Sequence, residues 1–294
     1  MHGMGSNNKP RRLSSLARAA GIACLVLAVA LTVLAGGSQA AGLSAIAPGL
    51  GAATSFAVLG GQTVTNTDSP TVVIGDLGVS PGSAVTGFPP GTVTGTIHAA
   101  DALALQAQNA VITAYDALFG QACNVDLTGQ DLGGMTLTPA VYCFSSSAGL
   151  TGILELNALG DPSAVWVFKI GSALTTAPGS SVRVTNGGDP CNVFWQVTSS
   201  ATLDTTTEFA GNILALTSIW LNNGATVSGR LLARNGEVTL DNNEVAICAL
   251  GPTPGPPPGP TPGFVPEPGS VMLLGSGLVG LALFGFAQLR KRGT

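Results

Sequence analysis

An internal repeat near the C-terminal end constrains the fold of this chain more than any other sequence feature. Gly211-Asn-Ile-Leu-Ala, followed by Ile219-Trp-Leu-Asn-Asn, matches Gly229-Arg-Leu-Leu-Ala, followed by Val238-Thr-Leu-Asp-Asn, at an offset of about 18 residues. Looser copies lie between residues 167 and 205. A single coil of this length cannot bury its apolar face, but a stack of coils encloses a continuous core. The repeat therefore predicts a mainly β fold, a solenoid.

Alternation within the repeats separates inward from outward side chains. The side chains expected to point inward are Ala201, Leu203, Ile219, Leu221, Val238 and Leu240 on one segment, and Phe209, Val227 and Val245 on the next. Those expected to stack outward are Thr202, Trp220 and Thr239, and on the next segment Glu208, Thr226 and Glu244. Successive members of each outward row should lie one strand apart, at ~4.8 Å.

One long segment breaks the β pattern. Between His98 and Phe119 no Gly or Pro interrupts the chain, and Gly120 follows as a helix stop. Apolar residues recur there at helical spacing, at Leu103, Ala107, Val111, Ala114 or Tyr115, and Leu118. We expect one long amphipathic helix that lies along the solenoid and covers one of its faces. It separates strands in residues 49–96 from a larger group in residues 125–250.

The N-terminus has the order of a secretory signal. Basic residues at Lys9, Arg11, Arg12 and Arg18 precede an apolar run over residues 19–35 and the small-residue site Ser38-Gln39-Ala40. A basic region, an apolar core and such a site are typical of a signal peptide, predicted here as residues 1–41. A retained transmembrane anchor is the alternative, and the arginine pair leaves the twin-arginine route open.

The C-terminus is a second targeting region. Residues 251–264 form a Pro/Gly linker that should be extended and semi-rigid. Pro266-Glu267-Pro268 follows, then an apolar stretch over residues 271–287 that is just long enough to span a bilayer, and then the basic cluster at residues 290–292. Residues 42–250 remain as the folded domain.

This C-terminal order resembles the PEP-CTERM sorting signal, here residues 265–294. The resemblance implies processing by a membrane-embedded exosortase near Pro266, Glu267 and Pro268. It implies a transient inner-membrane anchor through residues 271–287, followed by release to the cell surface or an extracellular matrix. A plain single-pass anchor is the alternative.

Four cysteines follow the signal peptide: Cys123, Cys143, Cys191 and Cys248. An even number in an oxidising compartment indicates disulfides, and four cysteines allow three pairings. We favour Cys123–Cys143 with Cys191–Cys248. No CxxC spacing occurs, so we expect no zinc site.

Charge and histidine content exclude two classes of function. Residues 42–264 carry four basic side chains against fourteen acidic ones, a net charge of about −10, and such a surface repels a phosphate backbone. His98 is the only histidine in that range, and no nucleophile-elbow motif accompanies it. The acidic residues are scattered over turns, as solubility and turn chemistry require. We therefore expect neither nucleic-acid binding nor an enzyme, and no catalytic residue, metal or cofactor.

Several stretches of the folded domain form a distinctive set, at Ala57-Val-Leu-Gly-Gly-Gln-Thr-Val, Gly75-Asp-Leu-Gly-Val-Ser-Pro-Gly, Gly87-Phe-Pro-Pro-Gly, Asp131-Leu-Gly-Gly-Met-Thr-Leu and Gly224-Ala-Thr-Val-Ser-Gly-Arg. They resemble the microbial ice-binding-like family over residues 43–248. The resemblance implies a discontinuous right-handed β-helix with triangular coils and one long helix packed alongside. It also implies that active members adsorb to ice through one flat face.

Candidate residues for such a face follow from physics and from the resemblance. A rigid ladder of Thr presents hydroxyl and methyl groups with a stiff χ1 and can order water to match ice, whereas charges hold hydration shells that must be stripped. Active relatives are expected to repeat a Thr-Ala/Gly-x-Thr/Asn motif, to which Asn223-Gly-Ala-Thr226 comes close while Glu208 and Glu244 depart from it. The candidate ice-binding residues are Ser181, Thr205, Asn223, Thr226, Thr202 and Thr239.

Two functions fit these features. The first is an exported surface protein that adsorbs to ice or ordered water through its flat Thr/Ser/Asn face. The second is a structural or adhesive protein of the extracellular polysaccharide matrix, with the same fold and no ice activity. Ice-affinity partitioning separates the two hypotheses.

Overall fold

The computed structural model describes residues 44–67 and 70–248. Its strands are β1 (Phe56–Gly60), β2 (Thr63–Asn66), β3 (Val72–Ile74), β4 (Asp76–Val79), β5 (Ala84–Thr86), β6 (Thr92–Val93), β7 (Ile97–Ala99), β8 (Val125–Asp126), β9 (Thr136–Leu137), β10 (Val141–Phe144), β11 (Ala148–Leu150), β12 (Ile153–Asn157), β13 (Trp166–Ile170), β14 (Leu174–Thr176), β15 (Ser181–Thr185), β16 (Val193–Val197), β17 (Ala201–Leu203), β18 (Glu208–Ala215), β19 (Ile219–Leu221), β20 (Thr226–Ala233), β21 (Val238–Leu240) and β22 (Glu244–Ala246). An α-helix, α1 (Ala102–Phe119), and two 3-10 turns, Gly51–Ser55 and Pro190–Asn192, complete the described part.

The strands form a three-sided parallel stack. The seven-stranded side has the order β11-β14-β17-β19-β21-β2-β5. The remaining strands form one 15-stranded sheet that covers two sides, because β18 and β20 each continue around a corner from one side to the next. We call the side that packs against α1 the helix side. It consists of the C-terminal parts of β18 and β20 with β8, β10, β13, β16, β1, β4 and β7. We call the other the third side, and it consists of the N-terminal parts of β18 and β20 with β9, β12, β15, β22, β3 and β6.

Glycines make that corner possible. Gly211 and Gly229 pair across β18 and β20 at the bend and have φ values of 114° and 157°. A Cβ at Gly229 would lie 1.9 Å from the carbonyl oxygen of Gly211. Only glycine accommodates both the backbone conformation and this close approach.

The solenoid is discontinuous in sequence. β1 pairs with β20, and β2 pairs with β21, so the first coil of the chain stacks on the last. After β7 the helix α1 carries the chain back along the stack, and β8 begins the coils that return towards β1. The predicted mainly β solenoid with one helix alongside is confirmed.

The helix begins later than its sequence indicated. Residues 97–99 form β7, and α1 begins at Ala102 because the Asp101 carboxylate caps it, accepting the backbone N–H of Ala104 at 2.8 Å. His98 flanks this cap, with Nδ1 2.7 Å from Oδ2 of Asp101. The predicted start at His98 was therefore wrong, whereas the predicted end at Gly120 is confirmed.

Helix α1 packs its apolar stripe on the helix side. Leu103, predicted to be part of that stripe, is 37% exposed, and Ala104 is buried in its place. The helix contributes Ala107, Val111, Ala114, Tyr115 and Leu118, and the strands contribute Leu59, Val141, Val167, Phe194, Leu214 and Leu232. This contact closes one side of the stack and leaves the other two sides without a covering element among the described residues.

The interior confirms the predicted parity. All nine side chains expected to point inward on the repeats are at most 3% exposed. Aromatic rings follow one another through the core in the order Tyr142, Phe168, Trp195 and Phe209. The first three are stacked, with the Phe168 and Trp195 centroids 3.9 Å apart, and Phe209 is tilted by 48° against Trp195. A continuous core of this kind stabilises the coils collectively, since none could bury its apolar face alone.

Both favoured disulfides form, Cys123–Cys143 and Cys191–Cys248. Beside the second one, the buried guanidinium of Arg230 donates to the carbonyl of Thr54 at 2.8 Å and to Oδ1 of Asn212 at 2.9 Å. These bonds tie the 3-10 turn that precedes β1 to the last coils. The N-terminal and C-terminal parts of the domain are thereby joined at one corner.

Several predicted segments lie outside the described residues: the signal peptide, the whole linker and the sorting region, with Pro266-Glu267-Pro268 and the span 271–287. Within residues 44–67 and 70–248 no helix has both the length and the apolar character that crossing a bilayer requires. In the same ranges no three His, Cys, Asp or Glu side chains lie close enough together to hold a metal ion.

Candidate functional site

The seven-stranded side carries a row of threonines. Five of six neighbouring strands contribute one threonine each. Parallel pairing in register places the central outward residues of β14, β17, β19, β21, β2 and β5 next to one another. In spatial order this set, here named the threonine row, is Thr175, Thr202, Trp220, Thr239, Thr65 and Thr86. The inward neighbours on each strand anchor the row, because burial of alternate residues forces the central ones outward.

The row is accessible and regular. Thr175 and Thr86 are exposed, while Thr202, Thr239 and Thr65 are half-buried by their neighbours along the row. At the end of the stack the Thr86 hydroxyl donates to Oγ1 of Thr65 at 3.2 Å. Parallel strands repeat at ~4.8 Å, so the row extends over roughly 24 Å. β-branched side chains hold one χ1 on such a surface, which keeps the hydroxyl and methyl groups ordered.

Trp220 interrupts this row between Thr202 and Thr239. Its side chain is 36% exposed, and its indole Nε1–H donates to Oε1 of Glu237 at 3.0 Å. Glu237 immediately precedes β21, so its carboxylate lies at the edge of the same side. The threonine row is thus interrupted by an indole ring that is hydrogen-bonded to a carboxylate.

The turn that follows each of these strands forms a corner towards the third side. Asp204 accepts the side-chain amide of Asn222 at 2.9 Å and the backbone N–H of Thr205 at 2.7 Å, and these bonds, the amide first, lower the pKa of the Asp204 carboxyl. Asn223 donates to Oδ1 of Asp241 across the next turn, at 3.4 Å. At this corner the carboxylates of Asp204 and Asp241 therefore accept hydrogen bonds from neighbouring amide side chains.

Buried polar groups hold this corner from within. Oγ1 of Thr176 and Oγ1 of Thr207 are 2.8 Å apart, and the Asn243 amide donates to the carbonyls of Asn222 and Ala225, each at 3.0 Å. Backbone groups at a turn must find partners once they leave water. Asn243 supplies such partners, and Oγ1 of Thr176 also accepts the backbone N–H of Asp204 at 2.8 Å, so these buried bonds hold the corner in shape.

The third side carries a different outward row. Its members, named the glutamate row, are Ile153, Ser181, Glu208, Thr226, Glu244, Val72 and Thr92 in spatial order. Glu208, Thr226 and Glu244 are exposed, so a carboxylate flanks Thr226 on each side. Ser181 is only 3% exposed, and its hydroxyl has no hydrogen-bond partner among the described residues.

The structure distributes the six candidate residues over three places. Thr202 and Thr239 lie in the threonine row, Thr205 and Asn223 lie on the corner turns, and Ser181 and Thr226 lie in the glutamate row. They do not form one surface. Ser181 in particular does not present its hydroxyl to solvent, since the residue is only 3% exposed.

Sequence reasoning missed three members of the threonine row. Thr175 had a usable signal, since Ala173-Leu-Thr-Thr is a loose copy of the repeat. Nothing in the repeat indicated Thr65 and Thr86. They lie more than 130 residues upstream of Thr239 and join it only when β2 stacks on β21. The arrangement offers a periodic, mostly uncharged array of hydroxyl and methyl groups, which suits adsorption to an ordered surface.

Comparisons with known proteins agree with this fold. Residues 58–246 match the family described as Ice-binding-like, and residues 264–292 match the PEP-CTERM protein-sorting motif. The second match confirms the sorting signal and indicates an exported protein that an exosortase processes. The family match also supports the expectation that the chain is not an enzyme.

Individual relatives carry similar names. The chain is 56% identical to an ice-binding protein of Nostoc sp. (strain HG1), over 83% of this chain and 88% of that protein. The crystal structure of an ice binding protein from an Antarctic biological consortium matches with a TM-score of 0.67 at 45% identity, over 69% of this chain and 92% of that one. An ice-binding protein of the Antarctic ascomycete Antarctomyces psychrotrophicus matches with a TM-score of 0.67 at 42% identity, over 69% of this chain and all of that one. With a family match over most of its folded domain, this chain belongs to the ice-binding-like family and carries a PEP-CTERM sorting motif.

Proposed function

We propose that this protein binds ice through its seven-stranded side, with the threonine row as the contact surface. The observation that carries the proposal is the register that brings threonines of β14, β17, β21, β2 and β5 into one accessible row. The relatives named as ice-binding proteins support the same conclusion. The corner residues Thr205 and Asn223 border this surface.

The physical argument rests on the order of the threonine row and on its mostly uncharged character. Ice presents a regular, uncharged array of hydrogen-bonding oxygens, and a rigid ladder of hydroxyl and methyl groups holds a water layer that can match it. Each matched hydrogen bond contributes only ~1 kcal/mol net, so many must form together for adsorption to last. A row of ~24 Å meets that need where a single threonine would not.

The glutamate row is a weaker candidate. A carboxylate keeps its own hydration shell, and removing that shell costs more than one matched hydroxyl returns. Glu208 and Glu244 flank Thr226 directly, so ice could reach the hydroxyl only by displacing water from both charges. The third side is therefore proposed to remain in contact with liquid water.

The finer route of export is part of the same proposal. The tail is inserted transiently in the inner membrane through residues 271–287, cleaved near Pro266-Glu267-Pro268, and the domain is then released to the cell surface or the extracellular matrix. Changing Glu267→Ala should leave full-length protein in the inner-membrane fraction, detected by its size on a blot. An intact tail on surface-released protein contradicts the proposed cleavage.

Ice-affinity partitioning of the domain at residues 42–250, together with thermal hysteresis, tests ice binding directly. The two solved relatives named above consist almost wholly of the matching part, so this domain corresponds to their full folded unit. Thr239→Tyr should remove most of the activity by breaking the flatness of the row. Thr226→Tyr places the same ring on the third side and should leave the activity unchanged.

Equal loss in both variants contradicts the assignment of the surface. Activity that survives Thr239→Tyr and is lost in Thr226→Tyr moves the contact to the third side. A wild-type domain that stays wholly in the liquid favours the structural role in a polysaccharide matrix.

A further inference from the structure

The threonine row is divided at one rung. Thr175 and Thr202 lie on one side of Trp220, and Thr239, Thr65 and Thr86 lie on the other. An indole ring is much larger than the threonine side chains on either side of it, and Trp220 is 36% exposed. A flat crystal surface cannot approach Thr202 and Thr239 together while the ring stands between them.

The ring is held in this position by Glu237. The hydrogen bond from Nε1–H to the carboxylate is 3.0 Å long, and a bond to a charged acceptor is stronger than one between neutral groups. This bond places the Glu237 carboxylate beside the row. Among the described residues no basic side chain forms an ion pair with it, since both ion pairs there involve other acids.

We infer that Trp220 and Glu237 act as a pair that limits the ice affinity of this surface, by splitting a six-rung array into segments of two and three threonines. The inference deepens the proposed function and rests on it. The two residues are coupled: removing the indole alone frees a hydrated carboxylate beside the row, and removing the carboxylate alone leaves the ring in place. Only removal of both restores an uninterrupted, uncharged array.

The coupling defines the experiment, a double-mutant cycle on the domain at residues 42–250. The proteins are the wild type, Trp220→Thr, Glu237→Thr and the double variant. Thermal hysteresis and ice-crystal shape are measured at equal concentration, with melting temperature by circular dichroism as the folding control. Because Trp220 is partly exposed and makes its side-chain hydrogen bond outside the core, we expect melting to change little.

The expected result is a several-fold rise in thermal hysteresis for the double variant, greater than the two single effects combined. Trp220→Phe keeps an aromatic ring but has no N–H donor, and it should stay at or below the wild-type level. If Trp220→Thr with Glu237→Thr folds poorly, Trp220→Val with Glu237→Thr replaces it, since valine has the shape of threonine and suits a strand. That variant should still exceed the wild type, because the obstruction is gone.

Failure of this inference is distinct from failure of the proposed function. A double variant no more active than the wild type, with activity still abolished by Thr239→Tyr, overturns the role of the pair and leaves the ice-binding surface in place. An inactive wild type with an active double variant supports the pair as the limiting feature. Inactivity in every protein of the cycle overturns both.

Discussion

The seven-stranded side and the third side are built from the same coils and differ in what they present to solvent. On both, alternate residues are buried: Leu221 on β19 is 2% exposed and Val227 on β20 is 2% exposed. Outward, one side repeats threonine along its centre, and the other places Glu208 and Glu244 on either side of Thr226. The fold requires apolar inward residues on both sides. The two sides can therefore differ only in their outward residues.

This difference shows where function can be encoded in a solenoid. A coil must fill the interior, and a polar substitution there disrupts its neighbours as well. A substitution at an outward position changes the free energy of unfolding little. Because neighbouring strands pair in register, each outward side chain lies at a fixed place in a row along the stack. Two rows of opposite character can therefore exist on one core, separated by a corner that buried Thr207 and Asn243 hold in shape.

The largest expected effect is on the interior that the two sides share. Leu221→Asp on the seven-stranded side and Val227→Asp on the third side should each prevent folding, because an unpaired carboxylate in the core costs several kcal/mol. Circular dichroism and the yield of soluble domain measure the outcome. Thr202→Ser, an outward change on the same sheet, should leave the melting temperature within a degree or two.

A folded, stable Leu221→Asp variant, or a large loss of stability in Thr202→Ser, is incompatible with the observed parity. A result that differs between the two aspartate variants would show that the sides do not depend equally on the core. In that case the effect of an outward substitution would have to be compared with a separate reference stability for each side.

A smaller effect is expected from converting one row into the other. Glu208→Thr with Glu244→Thr produces three consecutive threonines around Thr226 on the third side. In a background where Thr239→Tyr has blocked the first surface, we expect this change to restore weak ice binding, seen as partial recovery in ice-affinity partitioning.

Glu155→Thr serves as a control for each single step of that conversion, Glu208→Thr or Glu244→Thr. It removes one exposed carboxylate from the same side but outside the glutamate row, since β12 pairs it with Arg183. It should restore nothing. Equal recovery in both variants would mean that net charge, rather than the row, governs adsorption.

The smallest effect concerns the corner between the two sides. Hydrogen bonds from Asn222 and then Thr205 lower the pKa of Asp204, so its charged form is favoured in the folded protein. The stabilisation is present above the unfolded-state value of about 3.9 and is lost as the pH falls through the lower folded-state pKa. Because Asp204 is well solvated, the decrease in melting temperature attributable to it between pH 5 and pH 2 should be only roughly a degree.

Asp204→Asn should make the acid decline in melting temperature slightly shallower. Asp101, Asp126 and Asp161 also have lowered pKa values, through bonds first to Ala104, Thr128 and Ser163 respectively, so part of the decline remains. A steeper decline in Asp204→Asn contradicts the assigned direction.

Much of this molecule follows from local pattern. The 18-residue repeat, the inward parity of residues such as Leu221 and Val245, the helix end at Gly120 and both disulfides are confirmed. The start of the helix was wrong because no Gly or Pro separates β7 from the helix, and only the Asp101 cap marks the true boundary. The sorting motif was predicted from residue order alone, and the match over residues 264–292 confirms it.

The sequence by itself determined the class of fold, the C-terminal sorting motif and which residues of each repeat point outward, because these depend on periodicity and composition over short distances. Only the tertiary structure decided which outward residues share a surface. It separated Thr226 and Ser181 from Thr202 and Thr239, and it added Thr65 and Thr86 from the start of the chain. The physical reason is that the first coil stacks on the last, so the threonine row joins residues whose proximity no local pattern encodes.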